Sequence, residues 1–180
     1  MIYDSVYNGT YVNIRNINTN DAEFTLNIRN EDKITKYVSK LTHSIEVQKQ
    51  WIDRINSSLD SYFFISLNKN NIPIGTVSII NIDKEKKTFE PGSWVSIGNS
   101  VENLEPMFFL MDFAFYKLNL DKAIIHIVKT NLKVISFWKR MGAVYVKEST
   151  LNGFECYEYY LDKTIFNKNC LPYKKFMNLI

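Results

Sequence analysis

Proton transfer near neutral pH would fall to two side chains in this sequence, His43 and His126, the only histidines it contains. His126 lies inside the apolar run Ile124–Val128, which reads as a strand. There an imidazole is either a satisfied core group or one that faces a cleft. His43 stands in Leu41-Thr42-His43-Ser44, ahead of a helix, where an exposed loop residue and a ligand contact are both open readings. The two cysteines, Cys156 and Cys170, form no Cys-x-x-Cys pair and no Cys/His cluster at metal spacing. They read as free thiols of a reducing compartment, and no metal is expected. The densest pattern is residues 123–146, AIIHIVKTNLKVISFWKRMGAVYV. It reads as a buried strand, a break at Thr130-Asn131, an amphipathic helix, a glycine stop and a second strand.

The elements that must position these residues are legible from periodicity. Tyr11–Ile17 alternates apolar and polar residues as a first strand does. Thr19-Asn20-Asp21 supplies cap-type residues before a helix over Ala22–Arg29. The segment 34–39 is ambiguous. Ser44 opens a second helix in which Val47, Trp51, Ile52 and Ile55 share a face. Strands are predicted over Tyr62–Leu67, Gly75–Asn81 and Gly92–Gly98, with a charged hairpin tip at Lys84-Glu85-Lys86-Lys87. Pro106–Leu118 is an apolar helix opened by its proline. Ala123–Lys129, Leu132–Arg140 and Ala143–Glu148 form strand, helix and strand, and Phe154–Leu161 is the last strand after a turn at Gly153. Residues 1–10 read as a loose start without the pattern of a secretory leader, and 163–180 as a basic, aromatic tail packed on the sheet.

The expected fold class is therefore α/β (or α+β), one mixed, mostly antiparallel sheet of about seven strands flanked by helices. A length of 180 residues fits a single domain, 1–180, with its core over about 10–162. A hydrophobic share of 46% and a charged share of 23% are ordinary for a globular domain. The net charge of +3 is small and its cations are scattered, which argues against a nucleic-acid partner and suits an anionic small ligand. No apolar run approaches the ~18 residues of a membrane span. The expected location is the cytoplasm. An edge strand near the C-terminus is suited to pairing two subunits, so a homodimer is one option.

The 123–146 stretch, with Asn131 in the break and Phe137, Arg140 and Gly142 downstream, resembles the last conserved stretch of the GNAT-superfamily acyltransferases. The element order over about 10–162 is also similar to theirs. The resemblance implies an acyl-coenzyme A co-substrate, acetyl or longer, and two central strands that splay into a V-shaped slot for its thioester arm. It implies that backbone groups of Val95, Ser96 and Ile97 pair with pantetheine, and that Glu102, Asn103, Leu104, Glu105 and Met107 face the pyrophosphate. Asn131, Ser136, Phe137 and Trp138 would complete the coenzyme A site. Two departures stand out. The family loop Gln/Arg-x-x-Gly-x-Gly/Ala is here Asn99-Ser100-Val101-Glu102-Asn103-Leu104-Glu105-Pro106, without glycine or cation, and its two carboxylates repel a pyrophosphate unless they point away. A tyrosine common after the phenylalanine is replaced by Trp138, whose indole donates a hydrogen bond but is no useful acid. The thiolate then leaves as the anion, or takes a proton from Ser136 or water, or the enzyme is weak; the first reading is preferred.

The reaction implied by the resemblance, attack of a neutral amine on a thioester, needs a base and a donor for the developing oxyanion. Glu90, just ahead of a strand in Phe89-Glu90-Pro91-Gly92-Ser93-Trp94, is the expected base; an exposed strand-edge carboxylate is the plainer reading. Ser96 and His126 complete the candidate catalytic set. Further upstream, Ile28–Tyr37 followed by Ser44–Ile52 resembles the segment W-R-N-[DP]…S…I…H-x-x-W of one GNAT branch. That branch holds ribosomal-protein and spermidine acetyltransferases and bacterial enzymes that acylate amino groups on nucleotide-linked deoxysugars. Arg29, Asn30 and Trp51 match, and the frequent histidine is Gln48 here. Aromatic residues Tyr37, Trp51, Tyr62, Phe63 and Trp94 suit stacking on a sugar or base, although an aromatic core explains them equally. Cations such as Arg29 and Lys33 suit a diphosphate. The candidate acceptor contacts are Arg29, Asn30, Tyr37, His43, Trp51 and Trp94. The expected function is transfer of an acetyl or short hydroxyacyl group to the amine of a nucleotide-linked amino deoxysugar, for surface polysaccharide. Acylation of a protein N-terminus or small amine, and a non-catalytic coenzyme A-binding module, are the alternatives. The missing glycines and tyrosine favour the last.

Overall fold

In the computed structural model, which describes residues 5–180, the chain runs β1 (Tyr7–Asn8), β2 (Asn13–Asn16), a 3-10 turn (Thr19–Asp21), α1 (Ala22–Asn30), α2 (Asp32–Thr35) and α3 (Ile45–Asn56). Three strands follow, β3 (Tyr62–Leu67), β4 (Pro73–Asp83) and β5 (Thr88–Ser96), then α4 (Ser100–Asp112). The remainder is β6 (Lys122–Val128), α5 (Leu132–Arg140), β7 (Val144–Leu151), β8 (Phe154–Asp162) and α6 (Lys163–Phe176). The strands form one sheet in the order β1-β2-β3-β4-β5-β6-β8-β7.

Alternation along β3 shows how the layers form. Phe64 points into the larger core, where it meets edge-on Phe109 of α4 and Phe113 of the helical turn that follows it, while Ile65 and Leu67 point to the other face. There they join Ile17, Ala22 of α1 and Ile52 of α3. All pairings are antiparallel except β5 with β6, which is parallel and covers only Thr88–Lys122 and Phe89–Ala123. Beyond Phe89 the two strands separate. β6 stays paired with β8 along its whole length, so the facing edges of β5 and β6 are left without a ladder partner. The central strands are splayed as the resemblance implies.

Local signals explain most boundaries. Ser44 caps α3 through Val47 N, and Asp162 caps α6 through Thr164 N. Gly142 stops α5 at φ +94°, and a Cβ there would strike Ile165, so both conformation and space require glycine. Several expectations need correction. The sheet has eight strands among the described residues, because Tyr7 pairs with Ile14 and turns part of the expected loose start into β1. Two residues are too few to show a period. The first four residues, including part of the stretch read for a leader, lie outside the described residues. Pro106 does not open α4 but sits inside it. A reciprocal Asn99–Glu102 capping box starts the helix at Ser100 and outweighs the proline signal. β5 begins at Thr88, so Glu90 lies within the strand rather than ahead of it. The ambiguous 34–39 segment contributes only the end of the one-turn α2. The tail forms α6, whose Phe166 is fully buried between Phe108 and Phe115.

Candidate active site

The splay opens a cleft of about 470 Å³. Val95, Ile125, Ile127, Phe137 and Trp138 make its apolar walls, and the first turns of α4 (Ser100, Asn103) and α5 (Asn131, Lys133, Val134) make one end. Helix N-termini carry partial positive charge, and Lys133 and Arg140 add full charges. Lys33, Ile34, Tyr37 and Val38, from α2 and the loop after it, cover the other side. Among the described residues no Asp or Glu lines this cleft. The Trp94 indole donates to Asn103 O at 3.0 Å and packs edge-on against Phe137 and Trp138 at ring distances of 5.1 and 6.2 Å. Trp94 thus ties β5 to both helices. Trp138 is buried, a wall of the cleft rather than a proton donor.

At the apex of the V a polar cluster spans five strands, β4 to β8. Glu90 is the first β5 residue beyond the last β5–β6 pair. Its Oε1 meets His126 Nδ1 at 2.8 Å, and its Oε2 accepts from Asn81 Nδ2 at 2.8 Å. On the other side of the ring, Nε2 lies 3.4 Å from Oε2 of Glu158, which stands opposite His126 in the β6–β8 ladder. Lys147 of β7 lies 3.5 Å from the same oxygen. The His126 pKa is raised, first by the hydrogen bond to Glu90 and then by the charges of Glu90 and Glu158, against an opposing push from burial. His126 lines the cleft; Glu90 stands behind it.

The bulge in β5 divides this cleft from a second cavity. Thr76 pairs with Val95 and Ser78 with Gly92, which leaves Ser93 and Trp94 facing Val77. Ser93 adopts φ +48°, a conformation unusual for a side-chain-bearing residue, and its carbonyl accepts from Thr76 Oγ1 at 2.7 Å. Trp94 enters the cleft, while Ser93 enters a cavity of about 160 Å³ that is also lined by Arg29, His43, Trp51 and Phe63. A chain of hydrogen bonds orders its floor. His43 Nε2 meets Gln48 Oε1 at 2.6 Å, Gln48 Nε2 donates to Thr25 Oγ1 at 2.9 Å, and Thr25 donates to Ala22 O at 3.0 Å. Because the Gln48 oxygen accepts, His43 carries its proton on Nε2.

The expected residues thus fall into three groups. Val95, Ser96, Asn103, Leu104, Met107, His126, Asn131, Phe137 and Trp138 line the cleft, with Tyr37 and Trp94 from the acceptor set. Arg29, His43 and Trp51 share the second cavity. The others are spent elsewhere. Ile97 gives its amide to Ile74 O at 2.9 Å, and Ser136 accepts from Arg140 at 2.9 Å. Asn30 pairs twice with the Leu41 backbone, at 2.9 and 3.0 Å, and so pins the loop after α2. Glu102 turns back onto the Asn99 amide at 2.9 Å. Glu105 is buried beneath the N-terminal loop, where amides of Thr10, Tyr11 and Val12 donate to it at 2.7, 2.7 and 2.9 Å. A Cβ on Gly9 would strike that carboxylate. Both acids of the glycine-free loop therefore point away from the cleft. Asn81, Glu158, Lys133 and Arg140 were not singled out for the site by sequence reasoning. Only Arg140 carried a signal, as part of the Phe–aromatic–basic–x–Gly pattern.

The splayed strands and the cleft between them match what comparison finds. A family model described as an acetyltransferase (GNAT) domain matches residues 14–160, and the chain belongs to that family. It is an acyl-coenzyme A-dependent N-acyltransferase. Among solved structures it is similar to one described as apo FdhC, a nucleotide-linked sugar GNAT, with 28% identity, 97% of this chain and 99% of that chain covered, and a TM-score of 0.83. The fold is shared with a spermidine N-acetyltransferase from Vibrio cholerae in complex with CoA and spermine, at 17% identity, 87% and 98% coverage and a TM-score of 0.74. It is shared too with a GCN5-related N-acetyltransferase from Brucella melitensis, at 15% identity, 97% and 86% coverage and a TM-score of 0.78. No curated protein matches the chain. Among the described residues no helix is long and apolar enough to cross a membrane, and no cluster of His, Cys, Asp and Glu is arranged to hold a metal ion.

Proposed function

We propose that this protein transfers an acetyl or short hydroxyacyl group from acyl-coenzyme A to the amino group of a nucleotide-linked amino deoxysugar, a cytoplasmic step of surface-polysaccharide assembly. The observation that carries the acceptor class is the sign of the charges. Among the described residues no carboxylate lines either cavity, and Arg29 and Lys33 are the cations left for an acceptor once Lys133 and Arg140 take the coenzyme A phosphates. A polyamine or a basic peptide would need acid there, and a nucleoside diphosphate needs cations. Full-length similarity to a nucleotide-linked sugar GNAT supports the same class.

The cleft fits a coenzyme A arm. The unpaired edges of β5 and β6 offer backbone partners to an extended amide chain, and the two helix starts with Lys133 and Arg140 suit its phosphates. Within the α4 start the Asn99 side chain already accepts from Val101 and Glu102 amides, which shifts the weight of phosphate binding to the cations and Ser100. Bound there, the acyl-coenzyme A supplies the reactive thioester carbonyl. His126 takes the proton of the attacking amine, directly or through one water. With Nδ1–H donated to Glu90, Nε2 is the atom that accepts it, and Glu158 offsets the new charge. Glu90, held by Asn81, positions the ring rather than touching the acceptor. Free amides of the splayed β5 edge face the charge that develops on the acyl oxygen. The thiol leaves as its anion.

The test is thiol release on mixing the protein with acetyl- and 3-hydroxyacyl-coenzyme A and a panel of nucleotide-linked amino sugars. Release with one sugar of the panel is the expected result. Silence across the panel, together with turnover of spermidine or a peptide amine, would overturn the acceptor class.

A further inference from the structure

Among the described residues the guanidinium of Arg29 is the one charged group lining the second cavity, and it is unmatched. Its Nε is buried without a hydrogen-bond partner, and its Nη2 makes one long contact, 3.4 Å to Ser39 O. No described carboxylate pairs with it, and burial alone pulls its pKa down. The contrast with Arg15 is direct: there the chain supplies Asp21, which accepts two bonds at 2.7 and 2.8 Å. Arg29 as a whole is half-buried, so part of its charge is desolvated, and a guanidinium, which keeps its charge in proteins, gains from a counter-charge there. The cavity around Arg29 is otherwise built, with Trp51 set edge-on to Phe63 at 5.2 Å and the His43–Gln48–Thr25 chain fixed in one polarity. Its volume of about 160 Å³ is that of about five waters, enough for one small group and not for a nucleoside.

We infer that this cavity is an oxyanion subsite for the acceptor, in which Arg29 receives a phosphate or carboxylate oxygen and turns away polycationic amines. The inference rests on the acceptor reading above, in which the diphosphate of the nucleotide-linked sugar supplies the oxyanion; a carboxylate on an acidic amine is the other source. It assigns selection among acceptors to a group that lies outside the cleft and takes no part in acyl transfer.

The experiment is calorimetric titration of the full chain, saturated with coenzyme A, by thymidine diphosphate, by a hexuronate and by spermidine. Wild type binds the diphosphate or the hexuronate, and whichever binds names the source. Spermidine neither binds nor competes. Arg29→Met, which keeps the length of the side chain, weakens that anion by about 10- to 100-fold, the weight of hydrogen bonds to a charged group. Arg29→Lys restores part of it, because charge survives without the planar fork. Coenzyme A affinity, unchanged in both variants, reports that the fold is intact. Equal anion binding by wild type and Arg29→Met overturns the inference, as does competition by spermidine or failure of both anions to bind wild type. The two readings fail separately. If nucleotide-linked amino sugars are acylated with the same KM by Arg29→Met, the subsite is wrong and the function stands. If the anion binds through Arg29 while no nucleotide-linked sugar is acylated, the function is wrong and the subsite stands.

Discussion

Glu105 separates the structural account of the α4 loop from the one expected on family grounds. If it faced a pyrophosphate, replacing it with glutamine would relieve repulsion and tighten acyl-coenzyme A. The structure requires the opposite readout. Oε1 accepts from Thr10 N at 2.7 Å and from Tyr7 OH at 3.4 Å, and Oε2 from Tyr11 N at 2.7 Å and Val12 N at 2.9 Å. The carboxylate is fully buried, at 0% exposure. Burial, with the Glu105 charge behind it, pushes the Tyr7 phenol up to about 12. Turned with its NH2 toward Tyr11 and Val12, a glutamine amide strands two amide donors; turned the other way it strands Thr10 N alone, because the Tyr7 hydroxyl can turn and accept. At about 1–3 kcal/mol for a stranded buried donor, Glu105→Gln costs about 1–3 kcal/mol. For a chain of this size that lowers Tm by about 2–12 °C. Differential scanning calorimetry measures the loss, and steady-state kinetics at a temperature where the variant is folded measures KM for acyl-coenzyme A. A lower Tm with KM unchanged is expected. An unchanged Tm with an altered KM would refute the placement of this side chain.

Three further perturbations address the reacting end of the cleft and its cover. Glu90→Gln removes the largest cause of the raised His126 pKa, so the acid limb of the kcat profile moves to lower pH and kcat falls by about 10- to 100-fold; an unmoved limb removes the pair from catalysis. The same pair links to stability. His126 keeps its proton to higher pH in the folded than in the unfolded chain, so its contribution is complete below the ordinary imidazole pKa and is lost as the pH rises through the folded value. The stability gap between wild type and Glu90→Gln in denaturant melts therefore narrows across that window. Asn131→Ala removes the α5 cap at Val134 N, costing about 1 kcal/mol, and raises KM for acyl-coenzyme A; kinetics equal to wild type would take Asn131 out of the site. Asn30→Ala frees the Leu41 backbone and loosens the cover that carries Tyr37, so hydrogen exchange over 36–42 accelerates while the sheet stays protected, and protection unchanged there would contradict the pinning role.

What the sequence determined by itself was whatever depends on neighbours in the chain. The alternation of Tyr62–Leu67, the Ser44 cap, the amphipathic run Leu132–Arg140 and the Gly142 stop each act over a few residues, and each element stands where its pattern puts it. The order of those elements, with Asn131 and Phe137–Gly142, was enough to point to the family. Local signals misled where two competed, as at Pro106, where a side chain three residues along the helix closed the capping box first, and fell silent where the element was too short to show a period, as at β1. Tertiary structure decided the destination of each polar group. Glu102 and Glu105 stand three residues apart in the first turns of α4, yet one folds back on Asn99 and the other reaches residues 93 to 95 positions away. His126 acquires Glu90 from 36 residues upstream and Glu158 from 32 downstream because strands β5, β6 and β8 lie side by side. Arg29 and Arg15 look alike as residues, and only packing gives one an aspartate and leaves the other facing a cavity. Hydrogen bonds and charges act over a few ångströms of space, and where the chain returns to within that distance is settled by the sheet register and the bulge at Ser93.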